Sequence, residues 1–319
     1  AEGQTYCADL LVLAIGVAPE SQLARQAGLA LSERGCIQVD EHLRTSDADI
    51  YALGDAIEVT HFVSGLKEHI HLAGPANRQG RIVADNIAGL DSVYQGTQGT
   101  AILKCFEQTV AGTGLTEAAA KAAGFDYEKV FVFPMSHASY YPNACEISMK
   151  VIFTKDTGRI LGAQLVGKDG VEKRCDVLAT AIRANMTMYD LVHLELCYAP
   201  PFSSAKDPVN IAGLAAENIL TGKVDIFHYH DIEGLDPEKV TLLDVRTVKE
   251  YNKSHIPNFI NIPLDSLRDN LDKLDATKPI YVTCLAGLRS YVGCRILMQN
   301  GFTCKSLCGG YELYCNVNG

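Results

Sequence analysis

The stretch Pro279-Ile280-Tyr281-Val282-Thr283-Cys284-Leu285-Ala286-Gly287-Leu288-Arg289-Ser290 carries an apolar run directly into a tight loop. The run predicts a strand that ends at Cys284, and Gly287 allows the following loop to turn sharply. A helix is expected to begin near Ser290, because serine is a favoured N-cap residue. Free N–H groups at a helix N-terminus and the guanidinium of Arg289 would stabilise a thiolate. The stretch therefore predicts a nucleophilic cysteine, whereas Cys284 taken alone would be interpreted as a buried structural thiol.

Length, charge and cysteine content restrict the class of protein. A chain of 319 residues is expected to form roughly two or three domains. Its formal net charge of −10 argues against a nucleic-acid partner, since phosphate binding needs a positive excess. No apolar stretch reaches the roughly 20 residues of a membrane helix, so no membrane partner is expected. The 11 cysteines, with no Cys-x-x-Cys pair among them, indicate reduced thiols in a cytoplasmic protein and no bound metal.

The order of the apolar patterns predicts a mixed, multidomain fold. Residues 9–16 form a continuous apolar run typical of a buried parallel strand, and residues 50–53 predict a second strand. From residue 100 the pattern changes to that of antiparallel strands. The strands are predicted at 101–106, 130–133, 147–153 and 160–166, and the helices at 73–87, 171–185 and 208–220. Short strands and turns begin again after Gly222, which places a domain boundary near 222–226.

The last third of the chain holds a series of short motifs. They are Leu243-Asp244-Val245-Arg246, Glu250-Tyr251, His255-Ile256-Pro257, Asn261-Ile262-Pro263-Leu264, the loop from Cys284 to Ser290, and Gly309-Gly310-Tyr311. This order resembles that of rhodanese-like domains. The resemblance implies that Cys284 carries a persulfide, with Asp244, Arg246 and Arg289 in the catalytic site. It also implies that loop residues steady the terminal sulfur, namely Leu285, Ala286, Gly287, Leu288 and Ser290.

Loop length separates two chemistries within that fold. Arg289 follows Cys284 by five positions, whereas a phosphatase-type loop that wraps a whole phosphate is one residue longer. The loop is therefore expected to hold sulfur. Ser254 and Asn258 stand where glycine is common in the family, so the turns near them are expected to differ. Some rhodanese-like domains serve only as binding modules, and that alternative stays open.

A second resemblance concerns the first hundred residues. Its residues are Ala14-Ile15-Gly16-Val17-Ala18-Pro19, Thr45-Ser46, Ile50-Tyr51-Ala52-Leu53-Gly54-Asp55-Ala56 and the helix with Ala76-Asn77-Arg78-Gln79-Gly80. They resemble the C-terminal part of the pyridine nucleotide-disulfide reductases. The resemblance implies that Gly54 and Asp55 lie at FAD, and that the helix beginning near Ala73 directs its positive end to the flavin. Without it, Asp55 would be an ordinary turn aspartate after a strand.

The middle of the chain extends this resemblance to coenzyme A-disulfide reductases and their rhodanese-fused relatives. The matching motifs are Lys104-Cys105-Phe106, Ala111-Gly112-Thr113-Gly114-Leu115-Thr116-Glu117, His137-Ala138-Ser139-Tyr140-Tyr141-Pro142 and Tyr198-Ala199-Pro200-Pro201-Phe202-Ser203-Ser204-Ala205-Lys206-Asp207-Pro208. The resemblance implies a homodimer in which Tyr198 and one of Tyr140 and Tyr141 reach the partner's substrate cysteine. A phenol there can give a proton to a leaving thiolate. The alternative is that these tyrosines only pack a dimer interface.

Together these resemblances predict three regions. They are a partial FAD/NAD(P)-binding α/β region over 1–98, an α+β dimerisation domain over 99–222 and an α/β rhodanese-like domain with a parallel sheet over 226–319. The family's glycine-rich loops for FAD and NAD(P)H and its redox cysteine are expected before residue 1, so the chain is interpreted as the C-terminal part of a longer reductase. Its expected substrates are CoA persulfide, polysulfide or thiosulfate. The alternatives are a sulfurtransferase that acts alone and a non-catalytic dimerisation module.

Overall fold

The structure, a computed structural model, describes residue 3 and residues 5–318. These residues divide into two compact units. The first contains the described residues up to 61 together with 65–97, and the second contains 62–64 and 98–318. Each unit has its own buried apolar side chains. Among the described residues, no helix is both long and apolar enough to cross a membrane.

The first unit contains one long helix and otherwise short elements. They are α1 (Gln22–Gln26), a 3₁₀ helix (Gly54–Ala56), β1 (Val59–Thr60), β2 (Lys67–Glu68) and α2 (Ala73–Ile87). β1 and β2 pair in antiparallel fashion. Pro75, Gln79 and Val83 are the buried residues of α2, and their spacing of four puts them on one face of the helix. The helix predicted over 73–87 is confirmed.

The strand predicted over residues 9–16 is wrong. These residues have no regular secondary structure, and the side chains of Leu10, Val12 and Ile15 are exposed. A parallel strand persists only where neighbouring strands satisfy its N–H and C=O groups, and no neighbour for this run lies among the described residues. At residues 50–53 the only pairing in the described structure is an isolated bridge between Arg44 and Tyr51.

The second unit begins with an antiparallel sheet. Its strands are β3 (Ala101–Cys105), β4 (Gln108–Gly114), β5 (Tyr127–Val132), β6 (Ile147–Thr154) and β7 (Ile160–Gly167), in the spatial order β3-β4-β7-β6-β5. The helices of this part are α3 (Glu117–Ala122), α4 (Val171–Arg183), α5 (Met188–His193) and α6 (Pro208–Leu220). α4 packs on β4 and β7, and α6 packs on β5 and β6. This arrangement confirms the predicted α+β class.

A parallel sheet follows. Its strands are β8 (Asp225–Phe227), β9 (Thr241–Asp244), β10 (Ile260–Asn261), β11 (Ile280–Thr283) and β12 (Cys304–Leu307), in the order β10-β9-β11-β12-β8. The helices are α7 (Val248–Lys253), α8 (Leu288–Gln299) and α9 (Gly310–Asn318), with 3₁₀ helices at Tyr229–Gly234 and Leu264–Lys273. Thr283 pairs with Asp244 in register. The chain after β9 and the chain after β11 therefore leave the sheet at the same edge, where ligand sites of parallel sheets lie.

Candidate active site

Cys284 lies immediately after β11, and its residue surface is only 1% exposed. Its sulfur accepts a hydrogen bond from the Gly287 N–H at 3.1 Å, and its thiol donates to Ser290 Oγ at 3.4 Å. Gly287 has a φ of +111°, which a residue with a side chain rarely adopts. This turn brings a backbone N–H to the sulfur, where it would stabilise a thiolate.

The helix after this loop has a different N-cap residue from the one predicted. α8 begins at Leu288, close to the predicted start, but its N-cap residue is Gly287, so the N-cap role predicted for Ser290 is wrong. Ser290 is buried inside the first turn and its hydroxyl donates to Gly287 O at 2.9 Å. It also accepts a hydrogen bond from Ser306 Oγ at 2.9 Å. Ser290 therefore ties the Cys284 loop (residues 284–290) to Ser306 through hydrogen bonds and does not cap the helix.

The first residues of α9 donate backbone hydrogen bonds to the same loop. The N–H of Tyr311 donates to Cys284 O at 2.8 Å, and that of Glu312 donates to Leu285 O at 2.9 Å. A Cβ atom at Gly310 would lie 2.5 Å from Leu285 O, closer than real contacts allow. Gly310 is therefore required for the close approach that lets α9 hold the loop carbonyls.

Arg289 is held by a carboxylate. Its two terminal nitrogens donate to Glu250 on α7 at 2.8 and 2.7 Å. The hydrogen bond from Arg289 is the main cause that lowers the pKa of Glu250 to about 2. The pKa of Arg289 is raised, first by its hydrogen bond to Glu250 and further by the charges of Cys284 and Asp244. The Arg289 guanidinium therefore interacts electrostatically with Cys284, while the carboxylate of Glu250 compensates its positive charge.

Asp244 and Arg246 form a second ion pair behind the loop. Arg246 Nη2 lies 2.7 Å from Asp244 Oδ2, and both side chains are buried. The same guanidinium donates to Ser254 O at 2.9 Å and lies over the ring of Tyr311 at 4.0 Å. It thus connects the end of α7 to the beginning of α9, the helix that holds the Cys284 loop.

Of the two adjacent tyrosines predicted for the dimer site, the structure brings only Tyr140 to Tyr198. The side chain of Tyr198 interacts with that of Tyr140, and this interaction is the main cause that raises the pKa of Tyr140. Both are exposed, Tyr140 by 76% and Tyr198 by 52%. Tyr141 instead makes an edge contact with the ring of His137, with 5.9 Å between the ring centres. Tyr140 is therefore the member of the adjacent pair that faces Tyr198.

Gly54, Asp55 and Ala73 lie in the first unit. Asp55 is exposed within the 3₁₀ helix, and Gly54 has a φ of +75° and donates its N–H to Gln79 Oε1 on α2 at 2.8 Å. α2 begins at Ala73, and in the described structure no side chain caps its first turn. An exposed carboxylate accepts hydrogen bonds from polyol hydroxyls, and free N–H groups favour an anion. These residues fit the part of an FAD site that was predicted for them.

Comparisons with known proteins agree with these features. The model of the pyridine nucleotide-disulphide oxidoreductases matches residues 1–80, and the model of their dimerisation domain matches residues 100–208. The rhodanese-like domain model matches residues 232–316, which contain the Cys284 loop. The chain belongs to the pyridine nucleotide-disulphide oxidoreductase family and carries a rhodanese-like domain. Membership of this family implies the use of FAD and NAD(P)H.

Two solved structures match nearly the whole of this chain, and a curated relative matches about two thirds of it. The structure of reduced Bacillus anthracis CoADR-RHD is 54% identical, has a TM-score of 0.94 and is matched over 97% of this chain and 56% of that one. An NAD-dependent persulfide reductase from A. fulgidus is 42% identical with a TM-score of 0.85, over 94% of this chain and 54% of that one. An NAD(P)H sulfur oxidoreductase (CoA-dependent) from Pyrococcus abyssi is 37% identical over 64% of this chain and 46% of its own. The chain therefore spans about half the length of the curated relatives it matches.

Two buried polar clusters in this chain were not identified from the sequence. Arg174 and Asp207 form an ion pair within the antiparallel part of the second unit, with 2.9 Å between Nη2 and Oδ2. His228 Nε2 lies 2.9 Å from Glu128 Oε1, and Cys308 Sγ accepts the Phe131 N–H at 3.4 Å. The Asp-Pro start of α6 signalled an N-cap at Asp207, but no local pattern signalled the partner 33 residues earlier.

Proposed function

We propose that this protein acts in the FAD-dependent reduction of CoA disulfide, CoA persulfide or polysulfide by NAD(P)H, with Cys284 transferring sulfane sulfur as a persulfide. The observation that carries the proposal is the hydrogen bond from the Gly287 N–H to Cys284 Sγ at the start of α8. It gives the sulfur the anion-stabilising surroundings that a nucleophilic thiolate needs. The names of the similar proteins, which include persulfide reductase and CoA-dependent sulfur oxidoreductase, support the substrate class.

The sulfur-transfer step needs no external oxidant. The Cys284 thiolate attacks the sulfane sulfur of a donor, the donor's bond to that sulfur breaks, and the donor leaves as a thiolate or sulfite. The new bond forms between Cys284 Sγ and the transferred sulfur. A thiol acceptor reverses the chemistry by attacking the same outer sulfur, so the net oxidation state is unchanged. The loop N–H groups and Arg289 would steady the negative outer sulfur.

The reductive step would use other residues of the chain. When bound, FAD supplies the path for two electrons from NAD(P)H to a disulfide. Asp55 and Gly54 would hold it beside the N-terminus of α2, which begins at Ala73. Tyr198 and Tyr140 would give a proton to the leaving thiolate of the substrate in a homodimer. We further propose a cytoplasmic location and domain boundaries at 1–98, 99–222 and 226–319.

A non-catalytic rhodanese-like module is the second candidate. Cys284 is 1% exposed and Arg289 is occupied by Glu250, two features that suit an inert domain as well. Intact-mass measurement after incubation with CoA persulfide, and separately with thiosulfate, distinguishes the two. The first proposal expects a gain of about one sulfur atom that a thiol removes.

The matched variants are Cys284→Ser and Cys197→Ser, since Cys197 is an exposed thiol outside the loop. We expect the sulfur gain to disappear in the first variant and to remain in the second. No gain on the native chain from either donor would reject the persulfide role and leave the binding module. A gain that persists in Cys284→Ser would place the chemistry on another cysteine.

A further inference from the structure

The phenols of Tyr140 and Tyr198 belong to irregular segments. Tyr140 lies between β5 and β6, and Tyr198 lies between α5 and α6. Both side chains are mostly exposed, so the packing around them is sparse. Loops of this kind open easily unless buried interactions fix their backbone. The relative position of Tyr140 and Tyr198 therefore depends on what holds the two segments together.

A single buried guanidinium contacts both segments. Arg174 projects from the first turns of α4 and is 1% exposed. Its Nη2 donates to Ser136 O at 2.8 Å, four residues before Tyr140. The same nitrogen reaches Phe202 O at 3.4 Å, four residues after Tyr198. The planar, multi-donor geometry of arginine suits this double contact, which a lysine ammonium on its flexible stem cannot reproduce.

Asp207 fixes the guanidinium in this orientation. Arg174 Nε and Nη2 donate to Asp207 Oδ2 at 3.2 and 2.9 Å, and Ser203 Oγ donates to the same oxygen at 2.8 Å. Burial raises the pKa of Asp207, but hydrogen bonds from the Val209 N–H, Arg174 and Ser203 outweigh it and lower the pKa. The carboxylate is thus charged, paired and anchored at the N-terminus of α6.

The surrounding backbone leaves room for this cation. A Cβ atom at Gly170 would lie 2.2 Å from Arg174 Nη1, and Gly170 has a φ of +71°. Its carbonyl also accepts a hydrogen bond from that nitrogen at 3.2 Å. In addition, the Ala138 N–H donates to Ser203 O at 3.0 Å, which joins the two tyrosine segments directly beside the guanidinium.

We propose that Arg174, with Asp207 as its counter-ion, is the positioning residue that sets Tyr140 against Tyr198. The inference rests on the proposed role of these phenols as proton donors in the reductive step. Arg174 does not touch the substrate in this role. It acts by holding the carbonyls of the two segments at one buried point, so that the two phenols stay close to each other.

The test measures the phenol pair itself and requires no reductase activity. 3-Fluorotyrosine is placed at position 140 of the full chain, and its phenol is titrated by fluorine NMR. The Tyr198→Phe variant first verifies the readout, because loss of the Tyr198 hydroxyl should bring the pKa of residue 140 down towards that of an isolated fluorotyrosine. Arg174→Lys is expected to cause a shift in the same direction. Hydrogen exchange in residues 136–142 and 198–205 should become roughly tenfold faster.

Two controls separate positioning from general stability. Arg183→Lys makes the same exchange at the other end of α4 and should leave both readouts unchanged. Ile182→Ala removes a buried side chain of α4 and should lower the melting temperature without shifting the phenol titration. Ser203→Ala offers a milder disruption if Arg174→Lys does not fold, and a smaller shift in the same direction is expected.

An unchanged titration in folded Arg174→Lys, or in Ser203→Ala if the lysine variant does not fold, would overturn the inference. An equal shift in Ile182→Ala would also overturn it, since the effect would then follow stability alone. Failure of the proposed function gives a different result. In that case Tyr198→Phe would leave turnover of CoA disulfide by the assembled reductase unchanged, whatever the titration shows.

Discussion

Replacing Glu250 with glutamine would release Arg289 towards the Cys284 loop. The present pair has two hydrogen bonds of 2.7 and 2.8 Å, and both side chains are about one-third exposed. Glutamine removes the charge but preserves the reciprocal bonds with Thr247 at the start of α7, because Glu and Gln both complete a capping box. The substitution therefore changes the electrostatics of the loop with little change in the helix.

The expected stability cost is small. The pKa of Glu250 near 2 reports a strong attraction, but solvent screens a pair this exposed, and pairs of this kind contribute about 0.2–1 kcal/mol. A loss of at most about 1 kcal/mol in the free energy of unfolding is therefore expected. The stabilisation that ionised Glu250 contributes is present above its ordinary pKa and is lost as the pH falls towards 2.

The effect on sulfur transfer should depend on the donor's charge. Removing one negative charge from beside the loop favours a bound dianion such as thiosulfate by about 1 kcal/mol, which is roughly a fivefold rise in kcat/KM. Transfer from CoA persulfide should rise less, because its reacting persulfide group carries at most one negative charge at the loop. The measurement is kcat/KM for both donors in wild type and Glu250→Gln.

Glu233→Gln provides the control, since it removes an exposed charge from a different element of the same domain, the 3₁₀ helix Tyr229–Gly234. It should leave both values of kcat/KM unchanged at physiological ionic strength. A fall in thiosulfate kcat/KM in folded Glu250→Gln would refute the reasoning. It would show that Glu250 is needed to orient Arg289, and that the ion pair with Glu250 does not weaken the attraction of Arg289 for a bound anion.

Three further predictions concern other parts of the second unit. Burial lowers the pKa of His228, but its electrostatic interaction with Cys308 and its hydrogen bond to Glu128 outweigh burial and raise the pKa to about 9. This imidazolium stabilises the fold by at most about 3 kcal/mol, fully below pH 6.5 and progressively less towards pH 9. The free energy of unfolding should therefore fall between pH 6.5 and pH 9 in the wild type. It should fall much less in Glu128→Gln. Gly310→Ala should abolish the sulfur gain at Cys284, because its Cβ would displace the loop carbonyls; an unchanged intact-mass result would contradict this. In the assembled reductase, Tyr140→Phe should lower kcat for CoA disulfide more than Tyr141→Phe, and the reverse order would contradict the assignment of Tyr140 as the partner of Tyr198.

Local patterns were sufficient where one segment determines its own structure. Pro208–Leu220 was predicted as a helix from the spacing of its apolar residues, and the structure has those bounds. The end of β11 at Thr283 also followed from the apolar run before Cys284. In both cases the signal lies within a few residues of the element that it specifies.

Patterns failed where distant segments decide the outcome. Residues 9–16 have the composition of a parallel strand, but whether such a run forms a strand depends on neighbouring strands that pair with it. No strand was predicted at Gly112-Thr113-Gly114, yet it is the end of β4, paired with β7. The Arg174 and Asp207 contact joins residues 33 positions apart, which no spacing rule connects. The direction of Arg289 towards Glu250 likewise depends on how α7 packs beside α8.

The contact between Cys308 and β5 also bears on how the chain avoids association with other molecules. β5 is an outer strand of the antiparallel sheet, and an uncovered outer strand presents N–H and C=O groups on which another chain can add a strand. The thiol of Cys308 accepts the Phe131 N–H, and His228 binds Glu128 on the same strand. The segment that carries the Cys284 loop therefore also shields a sheet edge. Cutting the chain after residue 222 would uncover that edge and make the remaining piece prone to aggregation.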